Sequence, residues 1–244
     1  MYEIATTEVL GQPMDVFVFR PAGPGPHPGI LLAQHLPLGH TGLENDPFTL
    51  QTAQRFAEHG FVVAVPFLFH WWPKEAPMDD KREASRDDWM VADMQAGLEV
   101  LKTRERVDAA RLAVVGHCWG GRVAWLAACH MPELVAAAVF YGGNIKKALG
   151  AGNQPPIELA QHINCPLIGF FGNEDSNPSP QDVEEYRAAL SAADVEHEFH
   201  QYDQAGHAFQ NFMAEERFRP TASEDAWHKV LAFLAEKAGL QGKH

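Results

Sequence analysis

The chain has 244 residues and a formal net charge of −13, from 32 acidic and 19 basic side chains. With this excess of negative charge, we do not expect a basic surface that would bind nucleic acid or an anionic membrane, so neither partner is expected. With 46% hydrophobic and 21% charged residues, the composition is typical of a globular protein, and we expect one domain over residues 1–244.

Apolar runs and helical patterns alternate along the chain. We predict strands over residues 29–34, 61–66, 112–116, 135–141, 166–171 and 196–202, and helices over 48–59, 87–103, 120–130, 180–192 and 223–238. Residues 15–20 are predicted to form a hairpin with strand 29–34 through the Pro/Gly-rich segment 21–29. This alternation indicates an α/β fold, with a mostly parallel central sheet and helices on both faces. In such sheets the ligand site lies beyond the carboxyl ends of the strands, which makes the loops there the ones to search.

A nucleophile elbow is predicted where the third of these strands ends. The sequence GHCWGG at residues 116–121 places Cys118 in a G-x-C-x-G motif between a strand and a helix. Glycines on either side allow the backbone to turn sharply about a strained central residue, whose side chain then lies at the helix N-terminus. With Cys129 and Cys165, Cys118 belongs to an odd and sparse set of cysteines, which fits reduced thiols in the cytoplasm. The alternative is that Cys118 is a buried, inert thiol.

Two later residues complete a nucleophile, acid, histidine order. Asp175 follows the strand predicted over residues 166–171, although Glu174 or Asp182 could be the acid instead, and Asp175 could be a turn or N-cap residue. His207 lies in a glycine-flanked loop after the last predicted strand. This chain order is that of α/β-hydrolases and differs from the orders of chymotrypsin-like and subtilisin-like enzymes. We therefore predict a catalytic triad of Cys118, Asp175 and His207.

The chain resembles the dienelactone hydrolase (carboxymethylenebutenolidase) family, a cysteine-nucleophile branch of the α/β-hydrolase superfamily. The resemblance rests on short motifs along most of the chain: LAQ at residues 32–34, AVP at 64–66, GHCWGG at 116–121, GNED at 172–175 and GHAF at 206–209. It implies the α/β-hydrolase fold, the same triad, no cofactor and a small ester or lactone as substrate. It also implies an oxyanion hole formed by the backbone N–H groups of Leu36 and Trp119.

Two positions depart from the family pattern. Members that act on dienelactone have a glutamate after the LAQ strand end that contacts the resting thiol, and His35 takes that place here. They also have an arginine four residues after the triad histidine that binds the substrate carboxylate, and that position is Asn211 here. Because a buried carboxylate without a cationic partner carries a large desolvation penalty, we expect neutral or aryl esters to be favoured. Arg82 or Arg86 could supply the missing charge.

Two segments after predicted strand ends are candidates for the walls of the pocket. They are residues 37–46 and the aromatic run FLFHWW at residues 67–72, and together they predict an apolar, uncharged pocket. The alternative is ordinary packing of these loops on the core.

A neutral phosphotriester presents an electrophile similar to that of an ester, so phosphotriester hydrolysis is a predicted side activity. It would be limited by the dephosphorylation of the thiol. The residues predicted to contact substrate are His35, His70, Trp71, Trp72 and Asn211.

Two other function classes compete with this prediction. The first is a metallohydrolase that uses clustered histidines, although no H-x-H, H-E-x-x-H or paired cysteine spacing orients them, so no metal is expected. The second is a non-catalytic ligand-binding or redox-thiol protein on the same fold. The sequence leaves the oligomeric state open between monomer and homodimer. The histidines in question are His35, His40, His70, His117 and His207.

Overall fold

The computed structural model describes residues 2–36 and 42–239. The strands are β1 (Tyr2–Val9), β2 (Gln12–Phe19), β3 (His27–Ala33), β4 (Val62–Pro66), β5 (Val107–His117), β6 (Leu134–Phe140), β7 (Leu167–Gly172) and β8 (His197–Tyr202). The α-helices are α1 (Pro47–Glu58), α2 (Met78–Glu83), α3 (Asp87–Lys102), α4 (Trp119–His130), α5 (Pro180–Ala192) and α6 (Pro220–Lys237). Short 3-10 helices lie at Leu43–Asn45 and Pro156–His162.

The eight strands form one sheet in the order β1-β2-β4-β3-β5-β6-β7-β8. Strands β3 to β8 are parallel to one another, whereas β2 is antiparallel to both β1 and β4. The predicted mostly parallel sheet is therefore confirmed. The predicted hairpin between residues 15–20 and 29–34 is wrong, because β2 pairs with β1 through a tight turn at Leu10 and Gly11, both at positive φ.

The strand order fixes where the helices lie and where a ligand can bind. From β3 the chain passes through α1 to β4, toward one edge of the sheet, whereas from β5 it passes through α4 to β6, toward the other edge. Because such crossovers are right-handed, α1 and α4 lie on opposite faces. Helix α6 joins α1, since Arg55 pairs with Glu224 and Phe56 packs against Trp227. The order in which strands are added to the sheet therefore reverses between the neighbouring parallel strands β3 and β5, and the crevice at their carboxyl ends is the expected ligand site.

The core consists of the central strands and the apolar faces of the helices that cover them. All five residues of β4 and all six of β7 are buried, as expected for strands covered on both faces. By contrast, β1 is exposed along most of its length. None of the helices in the described residues has the length and hydrophobicity required to cross a membrane.

Candidate active site

Cys118 occupies a strained turn between β5 and α4. Its backbone has φ +55° and ψ −118°, a combination that a residue with a side chain rarely adopts. The neighbouring glycines make the turn feasible, because a Cβ at Gly116 would lie 1.8 Å from the carbonyl oxygen of Gly120. A Cβ at Gly120 would in turn lie 2.4 Å from the carbonyl oxygen of Ala33. The predicted elbow is thus present, and its glycines are required by close backbone contacts.

The structure brings Cys118, His207 and Asp175 together. The Nε2 atom of His207 lies 3.1 Å from Sγ of Cys118, and its Nδ1 lies 2.8 Å from Oδ2 of Asp175. Asp175 is buried, and its other carboxylate oxygen accepts a hydrogen bond of 2.8 Å from the backbone N–H of Asn177. The side chain of His207 is 30% exposed, and Cys118 is half-buried. The three side chains therefore form a hydrogen-bonded row whose sulfur end is accessible.

The electrostatics of this row favour a charged imidazole. Burial alone would lower the pKa of His207, but hydrogen bonds to Asp175 and Cys118 and their negative charges raise it to about 10. The ring is therefore protonated at neutral pH. A protonated ring in hydrogen-bond contact with a sulfur atom is the arrangement that activates cysteine nucleophiles.

The other two thiols have a different environment. Cys129 and Cys165 are buried, and this burial raises the pKa of each thiol to about 12, with a smaller contribution to Cys129 from the nearby Cys165. Neither thiol is an activated nucleophile under these conditions.

The predicted oxyanion donors come after two neighbouring strands and line the cavity that contains the thiol. Leu36 follows β3, and Trp119 follows Cys118. As the first residue of α4, Trp119 has an N–H group without an acceptor inside the helix. The two residues lie on either side of the reversal point between β3 and β5. Their role as oxyanion donors stays a prediction.

Tyr141 belongs to this site, although the sequence pattern did not single it out. It follows β6, is buried, has φ +39°, and places its ring centroid 5.4 Å from that of His207. Burial, together with the negative charges of Cys118 and Asp175, raises the pKa of its hydroxyl well above the ordinary value. The hydroxyl has no hydrogen-bond partner among the described residues. In the sequence Tyr141 was the last residue of a predicted strand, and no signal marked it as functional.

The cavity beside the thiol has a volume of about 800 Å³ and charged walls. Helix α2 contributes Asp79, Arg82 and Glu83, the loop after β6 contributes Lys147, and the segment after His207 contributes Arg217. The expectation of an uncharged aromatic pocket is therefore wrong. The sequence had offered Arg82 as a source of positive charge, but it gave no sign of Asp79, Glu83, Lys147 or Arg217, because none of them lies in a recognisable motif.

The aromatic run after β4 packs internally instead of lining this cavity. His70 Nε2 and Trp71 Nε1 lie 2.9 and 3.0 Å from the two carboxylate oxygens of Asp93, which is fully buried. Trp71 also stacks on Trp89 at 4.7 Å, and the Trp72 ring lies 5.9 Å from Trp89. His70, Trp71 and Trp72 are not among the described residues that line the cavity. These rings attach the loop after β4 to α3. The alternative that the sequence left open, ordinary packing of this loop on the core, is therefore the one observed.

His35 and Asn211 also point away from the predicted contact with substrate. His35 is buried and hydrogen-bonds to Asp46 at the start of α1. Asn211 is buried, and its Oδ1 accepts a hydrogen bond of 3.0 Å from the N–H of Met213. Neither is among the described residues that line the cavity. Of the candidate wall segment 37–46, residues 37–41, which include His40, lie outside the described residues.

The alternative residues for acid and cation have other partners. Asp182 forms a capping box with Ser179 at the start of α5, and Glu174 is exposed. Arg86 forms an ion pair with Asp88 and is not among the described residues that line the cavity. These positions favour Asp175 as the acid and Arg82 as the cation closer to the thiol.

A buried ion pair anchors the cavity wall formed by the loop after β6. Arg122 on α4 is 2% exposed and donates hydrogen bonds to both carboxylate oxygens of Asp87, each at 2.7 Å. The same guanidinium donates to the carbonyl oxygens of Asn144 and Lys147. Asp87 in turn accepts from the N–H of Leu149 at 2.8 Å. The loop that carries Lys147 is thus fixed to two helices.

The histidines do not gather around a single point. His70, His35 and His207 each bind a different aspartate, and His117 lies 3.0 Å from Gln210 through its Nε2. Over residues 2–36 and 42–239, no group of three or more His, Cys, Asp or Glu side chains is arranged to hold a metal ion.

Comparison with known proteins places the chain in a family. The model of the dienelactone hydrolase family matches residues 14–238. A putative carboxymethylenebutenolidase of Salmonella typhimurium is 28% identical over 243 residues, which cover 95% of this chain and 86% of that protein. The carboxymethylenebutenolidase of Rhodococcus opacus is 28% identical over 194 residues, which cover 77% of this chain and 75% of that protein.

Solved structures agree with this placement. The crystal structure of a putative dienelactone hydrolase from Klebsiella pneumoniae has a TM-score of 0.83 and 28% sequence identity, covering 97% of this chain and 99% of that chain. P91, a dienelactone hydrolase-like promiscuous phosphotriesterase from metagenomic libraries, has a TM-score of 0.81 and 17% identity, covering 97% and 98%. The likeness to P91 concerns the fold. The chain has the α/β-hydrolase fold and belongs to the dienelactone hydrolase family, a family of hydrolases that act on lactone and ester bonds.

Proposed function

We propose that this protein is a cysteine hydrolase of small-molecule esters or lactones, with Cys118 as the nucleophile. The observation that carries the proposal is the row of Cys118, His207 and Asp175, joined by contacts of 3.1 and 2.8 Å at the base of an open cavity. A nucleophile, a base within hydrogen-bond distance and a third group that orients the base are the parts that covalent acyl transfer requires.

Acylation begins from a thiolate of Cys118 beside the protonated ring of His207. The sulfur attacks the acyl carbon, the carbonyl π bond opens, and negative charge develops on the carbonyl oxygen. The backbone N–H groups of Leu36 and Trp119 stabilise that charge, and one such donor contributes about 3–4 kcal/mol in other enzymes. When the tetrahedral intermediate collapses, the bond to the leaving alkoxide breaks and His207 gives it a proton. A thioester on Cys118 and a neutral imidazole remain.

Deacylation restores the starting state with water as the only co-reactant. Neutral His207, oriented by Asp175, takes a proton from water as the water oxygen attacks the thioester carbon. The carbon–sulfur bond then breaks, the acid product leaves, and the thiolate is again paired with a protonated His207. Asp175 keeps the Nδ1 proton in place throughout, since its carboxylate oxygen lies 2.8 Å from that nitrogen.

The charge on the cavity wall bears on the substrate. Apart from Arg122, which Asp87 neutralises, the basic residues of the wall are Arg82, Lys147 and Arg217, against two acidic side chains on α2. Arg82 lies 3.3 Å from Asp79 and Arg217 lies 3.6 Å from Glu216, but both arginines are more than half exposed, so these ion pairs hold them only weakly. The expected preference for neutral esters depended on the absence of a cation at position 211, and these residues supply cations from other elements. We therefore propose that the cavity accepts esters or lactones that carry a negatively charged group.

A matched pair of esters tests the substrate proposal. The ratio of kcat/KM for anionic p-nitrophenyl hemisuccinate to that for neutral p-nitrophenyl butyrate is expected to fall about 3-fold to 10-fold in Arg217→Ala, the effect of one partly exposed charge contact. Arg86→Ala is the control, because Arg86 is not among the described residues that line the cavity. A wild-type preference for butyrate that Arg217→Ala leaves unchanged contradicts the proposed substrate charge.

Inhibitors test the chemistry itself. Iodoacetamide is expected to abolish ester hydrolysis in proportion to the modification of Cys118, measured by mass spectrometry of the peptide, whereas exhaustive chelation leaves turnover intact. Turnover that is lost with chelator and restored by zinc would support the metallohydrolase alternative. Full activity after complete alkylation of Cys118 would exclude it as the nucleophile.

Phosphotriester hydrolysis stays a prediction. A neutral phosphotriester would develop an oxyanion in the same place, but the phosphorylated thiol must then be attacked by water along a different direction. The same assay with paraoxon separates these steps, because a single burst without turnover shows that phosphorylation occurs and that dephosphorylation is blocked.

A further inference from the structure

A second buried hydrogen-bond network lies behind the predicted oxyanion donor Leu36. His35 directly precedes Leu36, and its Nδ1 lies 3.1 Å from Oδ2 of Asp46 and 3.1 Å from Oγ1 of Thr49. The side chains of His35 and Asp46 are 9% and 1% exposed. The network is therefore shielded from water, and it ties the end of β3 to the N-terminus of α1.

The hydrogen-bond partners fix the proton on one ring nitrogen of His35. The hydroxyl of Thr49 donates to Oδ2 of Asp46 at 2.7 Å, and the backbone N–H of Thr49 donates to Oδ1 at 3.1 Å. The hydroxyl proton is thus already used, and an ionised carboxylate can only accept. Because both neighbours of Nδ1 are acceptors, Nδ1 carries a proton and donates. The orientation of the ring is set by directional bonds as well as by packing.

The same ring is connected to the nucleophile elbow through Phe48. The His35 ring lies 4.9 Å from that of Phe48 in an edge arrangement, and the Phe48 ring lies 5.2 Å from that of His117, the residue before Cys118. His117 is in turn 3.0 Å from Oε1 of Gln210. The end of β3 is thereby fixed relative to the residue that precedes the sulfur.

We propose that His35 is a positioning residue, which, held by Asp46 and Thr49, fixes the backbone at Leu36 so that its N–H group meets the developing oxyanion. The inference rests on the proposed function. An oxyanion donor that belongs to a loop is effective only when its support is rigid, since a displacement of about 1 Å removes most of its benefit. His35 provides that support through α1 and does not itself touch the reacting atoms.

Two reactions of the same sulfur separate this role from a general effect on the site. Acylation by p-nitrophenyl acetate develops an oxyanion, whereas alkylation by iodoacetamide displaces iodide and develops none. In His35→Ala the acylation rate constant is expected to fall about 10-fold to 100-fold, toward the loss seen when an oxyanion donor is removed. The rate constant for alkylation of Cys118 is expected to change less than about 3-fold, because the thiol and His207 are untouched.

Conservative variants test the hydrogen bond. His35→Asn keeps an N–H donor close to the position of Nδ1, so acylation is expected to return to within about 3-fold of the wild type. Asp46→Asn keeps a good N-cap for α1 but replaces the charged acceptor, and acylation alone is expected to fall about 3-fold to 10-fold. His59→Ala, which removes a histidine just after the far end of α1, is the control and leaves both reactions unchanged.

The outcomes that overturn the inference are distinct from failure of the proposed function. Equal losses of acylation and alkylation would place the effect of His35 on the sulfur or on His207, and unchanged acylation in both His35→Ala and Asp46→Asn would show that no positioning is needed. If His35→Ala does not fold, Asp46→Asn and His35→Asn decide the question. A wild-type enzyme that hydrolyses esters after Cys118 is fully alkylated would instead refute the proposed function.

Discussion

Two of the histidine–aspartate pairs in the described residues, His207–Asp175 and His70–Asp93, lie at the same end of the sheet, and they differ in what the second ring nitrogen of the histidine contacts. In both the nitrogen–oxygen distance is short, 2.8 Å between His207 and Asp175 and 2.9 Å between His70 and Asp93. The second ring nitrogen of His207 contacts Sγ of Cys118, whereas that of His70 is buried with no hydrogen-bond partner among the described residues. The pair itself therefore does not identify a catalytic site.

Access to solvent separates the two pairs further. The side chain of His207 is 30% exposed at the cavity and that of His70 is 3% exposed. Burial raises the pKa of Asp93, against the opposing effect of its hydrogen bonds from His70 and Trp71, while Asp175 helps to raise the pKa of His207 to about 10. The His207–Asp175 pair thus holds a proton at the cavity, whereas the His70–Asp93 pair attaches the loop after β4 to helix α3.

Substitution of Cys118, the group that distinguishes the His207–Asp175 pair from the His70–Asp93 pair, is expected to have the largest effect on activity. Cys118→Ala is expected to reduce ester hydrolysis at least about 10⁴-fold, because the covalent step is lost and only binding and oxyanion stabilisation remain. Cys118→Ser should fold but react much more slowly, since a hydroxyl ionises less readily than a thiol. Cys129→Ala and Cys165→Ala, which remove buried thiols far less suited to reaction, are the controls. Steady-state kcat/KM for p-nitrophenyl butyrate is the measurement, and retained activity in Cys118→Ala would end the mechanism.

Matched substitutions in the two pairs come next in size. Asp175→Asn is expected to lower kcat/KM at least about 10²-fold with a small change in stability, because the amide no longer orients His207 or stabilises its charge. Asp93→Asn is expected to leave kcat/KM within about 3-fold but to lower the free energy of unfolding by about 1–3 kcal/mol, since one of the two acceptor oxygens for His70 and Trp71 is replaced by an NH2 donor. Urea unfolding and ester kinetics on both variants measure the two effects, and a similar pattern in both would erase the distinction.

The pH profile sharpens the comparison with a smaller effect. Because the pKa of His207 is raised from 6.5 to about 10, the ring is protonated through neutral pH and loses its proton as the pH rises through about 10. Acylation with a poor alkoxide leaving group needs that proton, so kcat/KM for an alkyl ester is expected to decline through about pH 10. In Asp175→Asn one cause of the raised pKa is gone, and the decline should begin at lower pH. If the decline of kcat/KM occurs at the same pH in Asp175→Asn as in the wild type, a group other than His207 controls that decline.

The smallest expected effect concerns the phenol beside His207. Tyr141→Phe removes a buried hydroxyl that has no hydrogen-bond partner among the described residues, while the ring that packs on His207 is kept. We expect the free energy of unfolding to change by less than about 1 kcal/mol and kcat to stay within about 3-fold. A fall of kcat well beyond that range would show that the hydroxyl takes part in the reaction after all.

The sequence was informative where a local pattern determines a local structure. The elbow at Cys118 could be predicted because its glycines and its place between a strand and a helix are visible in six residues. Asp175 and His207 could be predicted because parallel strands end at one edge of the sheet, so that loops distant in the chain meet there. That these three side chains meet thus followed from order along the chain and from sheet geometry.

Long-range packing decided what the sequence could not show. The Pro/Gly-rich segment 21–29 has the composition of a hairpin turn, but β2 pairs with β1, whose mostly exposed sequence mixes polar and apolar residues and has no apolar run to mark it as a strand. Whether Trp71 faces substrate or Asp93, and whether Arg217 reaches the cavity, depend on how loops fold back on other elements. These side-chain positions depend on contacts between residues distant in the chain, and such contacts produce no periodic pattern or motif in the sequence.

The separation of the triad along the chain has a consequence for folding. Cys118 and His207 are 89 residues apart, whereas the β1–β2 hairpin closes over a two-residue turn. Contacts between distant residues carry a larger loop-closure entropy, and chains rich in them fold more slowly. Synthesis proceeds from the N-terminus, so the thiol leaves the ribosome well before the imidazole that pairs with it. A nascent or partly refolded chain therefore carries Cys118 without its imidazole partner, and the reactivity that we propose for this thiol arises only when the C-terminal third has docked.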